Sequence, residues 1–417
     1  MSCIYLLESN MAGNAAIATS EAKKLGYKVK FICTNMTEYA DAVINPCTFA
    51  DEVHEVNTYD ITKLLHFFED EKESEKIEVI VAFDDFRIVQ AAILNAKYTH
   101  KGATLESILA CRFKDIMRKA VSHLKQSVAY EVIDFKQKYD SSPIGYPCVV
   151  KPNDESGSVG VKICHSNEEF IEAVNNIYQL TSPNCRGYQI ATKILVEEYI
   201  PGDEYSAEMV WNPDLNEWLL LGVTKKFVSP PPYCVEVGHI FPFGDAQFEK
   251  EVELQLKEVL ATIGFKNSFA HVEFKVIGGV LKLIEINPRV GGDQIPELMK
   301  LAKHIDPIAL YLRASLGIRF EALELDKKQQ QSEGKTYAAI CFLFSTKEGE
   351  VSQLKIGSNF EHSHKTHLAQ LPKKIKGLTS TEDRLGFVIQ TFSSTSQAIN
   401  FIESTSQKIA VEVYADE

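Results

Sequence analysis

The stretch FAHVEFKVIGGVLKLIEINPR (269–289) carries the densest set of groups able to do chemistry. It reads as a hairpin turning on two glycines. With a three-residue loop, Gly278-Gly279-Val280, Glu273 stands opposite Glu285 and His271 opposite Asn287. Side chains alternate along a strand, so these four share one face. The other face then carries Val272, Phe274, Val276, Ile284 and Ile286, an apolar surface for a core. A two-residue turn, Gly278-Gly279, would shift the register by one, set Val272 against Glu285 and mix the faces, so the longer loop is expected. Two opposed carboxylates repel each other, and a divalent cation between them removes the penalty. Glu273, Glu285 and Asn287 form an all-oxygen set that suits Mg²⁺, whose other positions go to water and phosphate oxygens. The alternative is a solvated strand face whose charges never meet.

Three further stretches carry chemistry. In PCVVKPNDESGSVGVKI (147–163) a strand ends at Lys151, a loop with Gly157 and Gly160 follows, and a strand resumes. Glycines let backbone N–H groups approach phosphate oxygens, and the lysine supplies charge. The order is not that of a Walker loop, and a simple hairpin fits the same residues. In ILVEEYIPGDEYSAEMVW (194–211) an apolar strand runs into Glu197-Glu198-Tyr199-Ile200, a Pro201-Gly202 turn and Glu204. Such a segment could offer a nucleotide base an apolar slot and backbone groups, and a ribose a carboxylate; a hairpin with acidic edges is the plainer reading. In CRFKDIMRKAV (111–121), Lys114 and Arg118 lie one helical turn apart, and taken alone a solvated basic face is the plainer reading.

In their order along the chain, these features resemble the ATP-grasp family over residues 110–320. The marks are a lysine helix, a lysine with a glycine-rich loop, E-E-Y-I-P-G-x-E, and V-E-F followed by E-I-N-P-R. The resemblance implies that Lys114 and Lys151 contact ATP phosphates and that the loop 154–160, with Ser156, Gly157 and Ser158, closes over the triphosphate. It implies that Glu197, Glu198 and the Tyr199–Ile200 backbone hold adenine and that Glu204 holds the ribose. Glu273, Glu285 and Asn287 would bind magnesium, two ions with Mn²⁺ able to substitute. Arg289 would stabilise charge on the phosphoryl group and the later tetrahedral intermediate, with Glu285 and Lys151 beside it in the catalytic set. Within the family, E-I-N-P-R-V-G-G-D (285–293), His271 and PPPYCVEVGHIFP (230–242) look like L-amino acid ligases and related carboxylate–amine ligases. The substrate pocket would then involve His271, Glu236, His239, Arg289, Gly291 and Gly292. A structural turn after Pro230-Pro231-Pro232 accounts for Glu236 and His239 equally well.

The implied reaction phosphorylates a carboxylic acid, perfecting a poor electrophile, and passes the acyl group to an amine with release of ADP and phosphate. Two other readings share these residues: delivery of the acyl group to an acyl carrier protein, and a nucleotide-binding regulatory protein without turnover. The complete set Glu273, Glu285, Asn287 and Arg289 argues against the last. A biotin-dependent carboxylase also fits the fold, but no carrier segment is evident.

The elements around these motifs alternate in the manner of an α/β protein. Strands 3–9, 28–34, 53–57 and 77–83 are separated by helices 16–27 and 61–71, which implies a parallel sheet with helices on its faces. This first, Rossmann-like domain is expected to end at 112. A lid over 113–195 carries a helix at 167–180. A catalytic core over 196–325 carries helices at 249–263 and 295–316. The polar, Gln-rich connector ELDKKQQQSEGK (324–335) leads to a C-terminal α/β subdomain, 326–417. By the resemblance this is an ATP-grasp fold with a preceding pre-ATP-grasp domain, through which a homodimer would form. ESNMAGN (8–14) links a strand to a helix but lacks the dinucleotide fingerprint, so a plain turn is expected there.

Composition sets the surroundings. The 417 residues are 45% hydrophobic and 24% charged, as in an ordinary globular protein, with a net charge of −13. An acidic surface repels nucleic acid and acidic membranes. The nine cysteines, at 3, 33, 47, 111, 148, 164, 185, 234 and 341, form no C-x-x-C pair. Their odd number and irregular spacing fit reduced thiols in a cytoplasm. No run has the length of a membrane span, and Cys3–Leu7 is too short for a signal peptide.

Overall fold

The computed structural model describes residues 2–42, 44–134, 137, 139–180, 187–190, 193–319, 335–356, 363–405 and 409–414. The chain begins with a four-stranded parallel sheet in the order Glu52–Glu55, Lys28–Cys33, Ser2–Leu7, Lys76–Ala82. Cys3 to Leu7 are fully buried, which explains their unbroken apolar run: the strand lies between helices rather than against water. Helices Asn14–Lys24, Ile61–Ser74 and Ile88–Tyr98 connect or follow these strands. Asp60 starts the second by accepting from the amides of Thr62 and Lys63.

A second, four-stranded sheet is antiparallel, in the order Tyr130–Asp134, Lys193–Glu198, Cys148–Pro152, Lys162–Cys164. The helix Asn167–Gln179, capped by Ser166, buries Phe170, Ala173, Val174 and Ile177 against it. A third, eight-stranded sheet runs Val280–Asn287, Phe269–Ile277, Glu204–Asn212, Glu217–Val228, Glu236–Phe241, Tyr337–Leu343, Gly386–Phe392, Lys365–Leu368. The passage from the second sheet to the third falls at 199–203, the Pro201-Gly202 turn.

Two expectations need correction. The hairpin turns on two residues, since Ile277 pairs with Val280 across Gly278 (φ 56°) and Gly279 (φ 78°). Glu273 nevertheless faces Glu285, because a bulge at Ile284 restores the register: Glu273 pairs with Glu285 and Phe274 with Leu283. Leu283, not Ile284, therefore joins the core. The helix expected at 295–316 is two helices, Ile295–Lys303 and Pro307–Leu316, separated by a left-handed His304 and restarted by the Asp306 cap and Pro307. The C-terminal strands Tyr337–Leu343 and Gly386–Phe392 continue the eight-stranded sheet through Glu236–Phe241. Residues 324–334 of the connector, and Cys185, lie outside the described residues. Among the described residues no helix is long and apolar enough to cross a membrane.

Candidate active site

Strand register assembles the site. On one face of the large sheet, three polar rows run across the strands. Asn287, His271 and Glu208 form the first; Glu285, Glu273, Ser206 and Thr224 the second; Lys275, Glu204, Lys226 and His239 the third. Each residue is opposite its neighbour in the ladder, so alternation alone places them on a common floor. The second sheet and its glycine loop form the roof.

Two cavities occupy the space between, and both are lined by Ser156, Gly157, Glu236, Glu273 and Glu285. The first, about 170 Å³, is lined in addition by Lys114, Arg118, Lys151, Ser158, Glu197, Glu198, Tyr199, Ile200 and Glu204. Every residue that the sequence assigned to ATP thus borders one slot. The second, about 280 Å³, is lined also by Asn10, Asp84 and Asp85 of the first domain and by Lys226, His239, His271, Asn287, Arg289 and Gly292.

In the first cavity, Glu197 is buried with both oxygens engaged: Arg118 Nε lies 2.5 Å from one and Lys151 Nζ 2.7 Å from the other. Burial pushes this carboxyl up, but the two cations hold it at about 2. Glu197 therefore braces the lysine and arginine instead of presenting a free acceptor to a base, as the sequence had suggested. Burial also lowers Lys151, with Arg118 and Lys114 adding repulsion and Glu197 opposing them. Lys114 meets Glu285 at 3.3 Å and donates to the carbonyl of Glu155 at 2.9 Å. Arg118, expected on a solvated face, is 1% exposed and donates to the Ile284 carbonyl at 3.0 Å, fastening the bulge. Glu198 accepts from the Ala129 amide at 3.1 Å. The loop turns through Gly157 (φ 70°), Ser158 (φ 59°) and Gly160 (φ 74°). A Cβ on Gly160 would stand 2.9 Å from Leu180 and 3.0 Å from Pro152.

Where the cavities meet, Lys226 Nζ lies 2.5 Å from Glu273, 3.5 Å from Glu236 and 3.9 Å from Glu204. Burial works against its charge, but these carboxylates raise its pKa well above the usual lysine range. His271 bridges Glu208 (2.6 Å) and Glu273 (3.1 Å). Burial opposes its protonation; the two carboxylates overcome that and bring it to about 9. Asn287 donates to Glu285 at 2.9 Å. The opposed carboxylates Glu273 and Glu285 are thus each neutralised by an ammonium group. This is the charge arrangement a divalent cation would otherwise satisfy, on donors that are all oxygen. Among the described residues no three His, Cys, Asp or Glu side chains gather as a metal site by themselves.

Arg289 is gripped by Asp85 of the first domain through two parallel contacts, with Nε 2.5 Å from one oxygen and Nη2 on the other. Burial opposes its charge, but the Asp85 carboxylate keeps it firmly protonated. Gly291 serves packing: a Cβ there would lie 2.9 Å from His271 Nδ1 and 3.3 Å from Glu208 Oε2, whereas Gly292 has open space. Gly291→Ala should lower stability by about 1–3 kcal/mol through this overpacking. Thermal unfolding checks this, and an unchanged midpoint would show that His271 can yield.

Lys226, Asp85 and Glu208 were not anticipated. Lys226 had a signal, since two lysines in the apolar strand LLLGVTKKF require one to point inward. The others had none, because each meets its partners only through the fold.

Residues 144–297 match the family model described as ATP-grasp domain. An uncharacterised protein, y4rH, of Sinorhizobium fredii is 30% identical over 196 residues, 46% of this chain and 38% of that one. A D-alanine–D-alanine ligase of Wolbachia pipientis is 29% identical over 223 residues, 51% of this chain and 67% of that one. Among solved structures, an L-amino acid ligase from Bacillus licheniformis superposes with a TM-score of 0.77 at 16% identity, covering 99% of each chain. A phosphoribosylglycinamide synthetase from Anaerococcus prevotii gives 0.66 at 17% identity, covering 99% of this chain and 100% of that one. The chain thus spans well under half of one curated relative and about two thirds of another, while the fold is shared end to end.

Proposed function

Because the chain carries an ATP-grasp domain within an ATP-grasp fold, we propose that it is an ADP-forming ligase that joins a small carboxylic acid, such as an amino acid, to an amine through an acyl phosphate. The observation that carries this reading is the pair of cavities meeting at Glu273 and Glu285 beneath the glycine loop. One is built for a nucleotide and the other for an organic acid, with the phosphoryl group passing between them.

Lys114 and Lys151 hold the phosphates. The loop through Ser156, Gly157 and Ser158 covers them and keeps water from the acyl phosphate. Glu197 sets the position of Lys151. The Tyr199–Ile200 backbone meets the base, with Glu198 beside it, and Glu204 meets the ribose. Glu273, Glu285 and Asn287 would hold Mg²⁺, which supplies charge neutralisation at the phosphates. Arg289, fixed by Asp85, faces negative charge on the acid and on the tetrahedral intermediate. His271, Glu236, His239 and Gly292 shape the acid and amine pocket, and Gly291 leaves room for His271 and Glu208 behind it. The eight cysteines of the described residues are all free thiols, which suits a reducing cytoplasm.

The test is phosphate release from Mg·ATP with pools of amino acids and small acids, resolving ADP from AMP. ADP formed only with particular acid–amine pairs supports the reading; AMP and pyrophosphate would replace it with adenylation.

Glu204 makes the nucleotide slot pH-sensitive. Burial, with Glu273 and Glu236 nearby, raises its carboxyl to about 7 against the pull of Lys226 and Lys275. Its folded pKa lies above the ordinary value, so stability is highest below pH 4.5 on this account and declines as pH rises toward 7. The ionised form accepts ribose hydroxyls best. Binding of adenosine, which has no titrating phosphate, should therefore tighten between about pH 6 and 8. Glu204→Gln should flatten the profile; an unchanged profile would place the ribose elsewhere.

A further inference from the structure

The turn 379–384 reaches the site from beyond the connector. Asp383 stiffens it by accepting from the amides of Lys376, Thr379 and Ser380 (3.1, 2.9 and 3.0 Å) and from the Thr379 hydroxyl (2.8 Å). Beside it, Arg384 extends into the wall behind the acid cavity, its side chain 9% exposed. Nη1 lies 2.9 Å from both oxygens of Asp293, Nη2 3.3 Å from the Glu236 carboxylate, and Nε donates to the Glu236 carbonyl at 3.1 Å. The guanidinium sits 3.7 Å from the centre of the Phe342 ring.

Asp293 and Glu236 both line the acid cavity; Arg384 does not. Asp293 is held at φ 49°, and His239 Nε2 stands 3.4 Å from it. Glu236 is gripped from its other side by Lys226 at 3.5 Å. One guanidinium therefore sets the position of two cavity carboxylates and, through Asp293, of an imidazole. Buried ion pairs are poor devices for stability, because desolvation offsets their attraction. Their use here, on side chains that border a cavity, fits positioning. The same turn touches the phosphate cover: the Thr381 hydroxyl donates to the Gly157 carbonyl at 3.4 Å.

We propose that Arg384 is a positioning residue for the acid pocket, acting through Glu236 and Asp293, so that the C-terminal segment takes part in substrate selection. This rests on the ligase reading above.

The test compares full-length wild type, Arg384→Gln, Arg384→Lys and Arg384→Ala in ADP release with an acid–amine pair that the wild type uses, and in ATP binding by calorimetry. Arg384→Gln should lower kcat/KM for the acid roughly 50-fold, the order expected when one partner of a buried charge pair is lost, with ATP affinity within about twofold of wild type. Arg384→Lys keeps the charge but not the fork, and should recover only part. Added guanidinium ion should restore Arg384→Ala. Unchanged kcat/KM in Arg384→Gln, or an equal loss of ATP affinity, overturns the proposal. If the glutamine variant does not fold, full activity of Arg384→Lys overturns it instead. A wild type that releases no ADP with any pair would overturn the ligase reading and this inference together. An active wild type with an indifferent Arg384→Gln removes the inference alone.

Discussion

Glu285→Gln should cost the protein roughly a thousandfold or more in Mg·ATP turnover, because the charge neutralisation a bound metal provides is worth several kcal/mol and each 1.36 kcal/mol is tenfold. The amide keeps the shape of the side chain but removes the negative charge that faces Glu273 across the ladder. Its other partners, Lys114 at 3.3 Å and Asn287 at 2.9 Å, do not anchor the core. The unfolding midpoint should therefore stay within a few degrees, on the usual scale of non-core substitutions. Turnover and thermal unfolding measured on the same preparation separate the two effects. Ordinary turnover in this variant would remove the metal assignment.

The second large effect is on nucleotide binding. Arg118 and Lys151 both engage Glu197, and Lys114, paired with Glu285, borders the same cavity, so three cations stand where a triphosphate would lie. Lys151→Ala deletes one of these charges and leaves Glu197 with Arg118 alone. ATP affinity should fall roughly 30- to 100-fold, the scale of losing one member of a desolvated charge pair. Titration with ATP in the presence of Mg²⁺ reads it directly. Unchanged affinity would make the loop 154–160 a structural hairpin.

The parts of the site that were legible in the sequence are those governed by local repetition. Alternation along 269–277 and 280–287 placed His271, Glu273, Glu285 and Asn287 on one face, and the β-α-β alternation gave the parallel first sheet. The pairing of Glu273 with Glu285 came out as expected although the turn did not. A two-residue turn followed by a bulge at Ile284 has the same parity as a three-residue loop, and hydrophobic patterning responds only to parity. Glu197 was placed in the slot, but its role depends on Arg118, 79 positions away, which a strand pattern cannot report. The helix 295–316 was read through its break because His304 carries no local breaking signal, while Asp306-Pro307 marks a new start that periodicity alone overlooks. Asp85 and Arg384 were invisible for a related reason. Each meets its partner on a distant element, 204 positions away for Asp85–Arg289 and 91 for Arg384–Asp293.

The eight-stranded sheet bears on how the gene could be cut. Glu236–Phe241 has a neighbour on each side only because Tyr337–Leu343 completes it from the far end of the chain. A fragment ending near residue 319 would retain all the residues that line the first cavity. It would also present the amides and carbonyls of 238–241 as an open template for another strand. Such a fragment would be adhesive before it was inactive, and the C-terminal strands act as this protein's own guard against self-association.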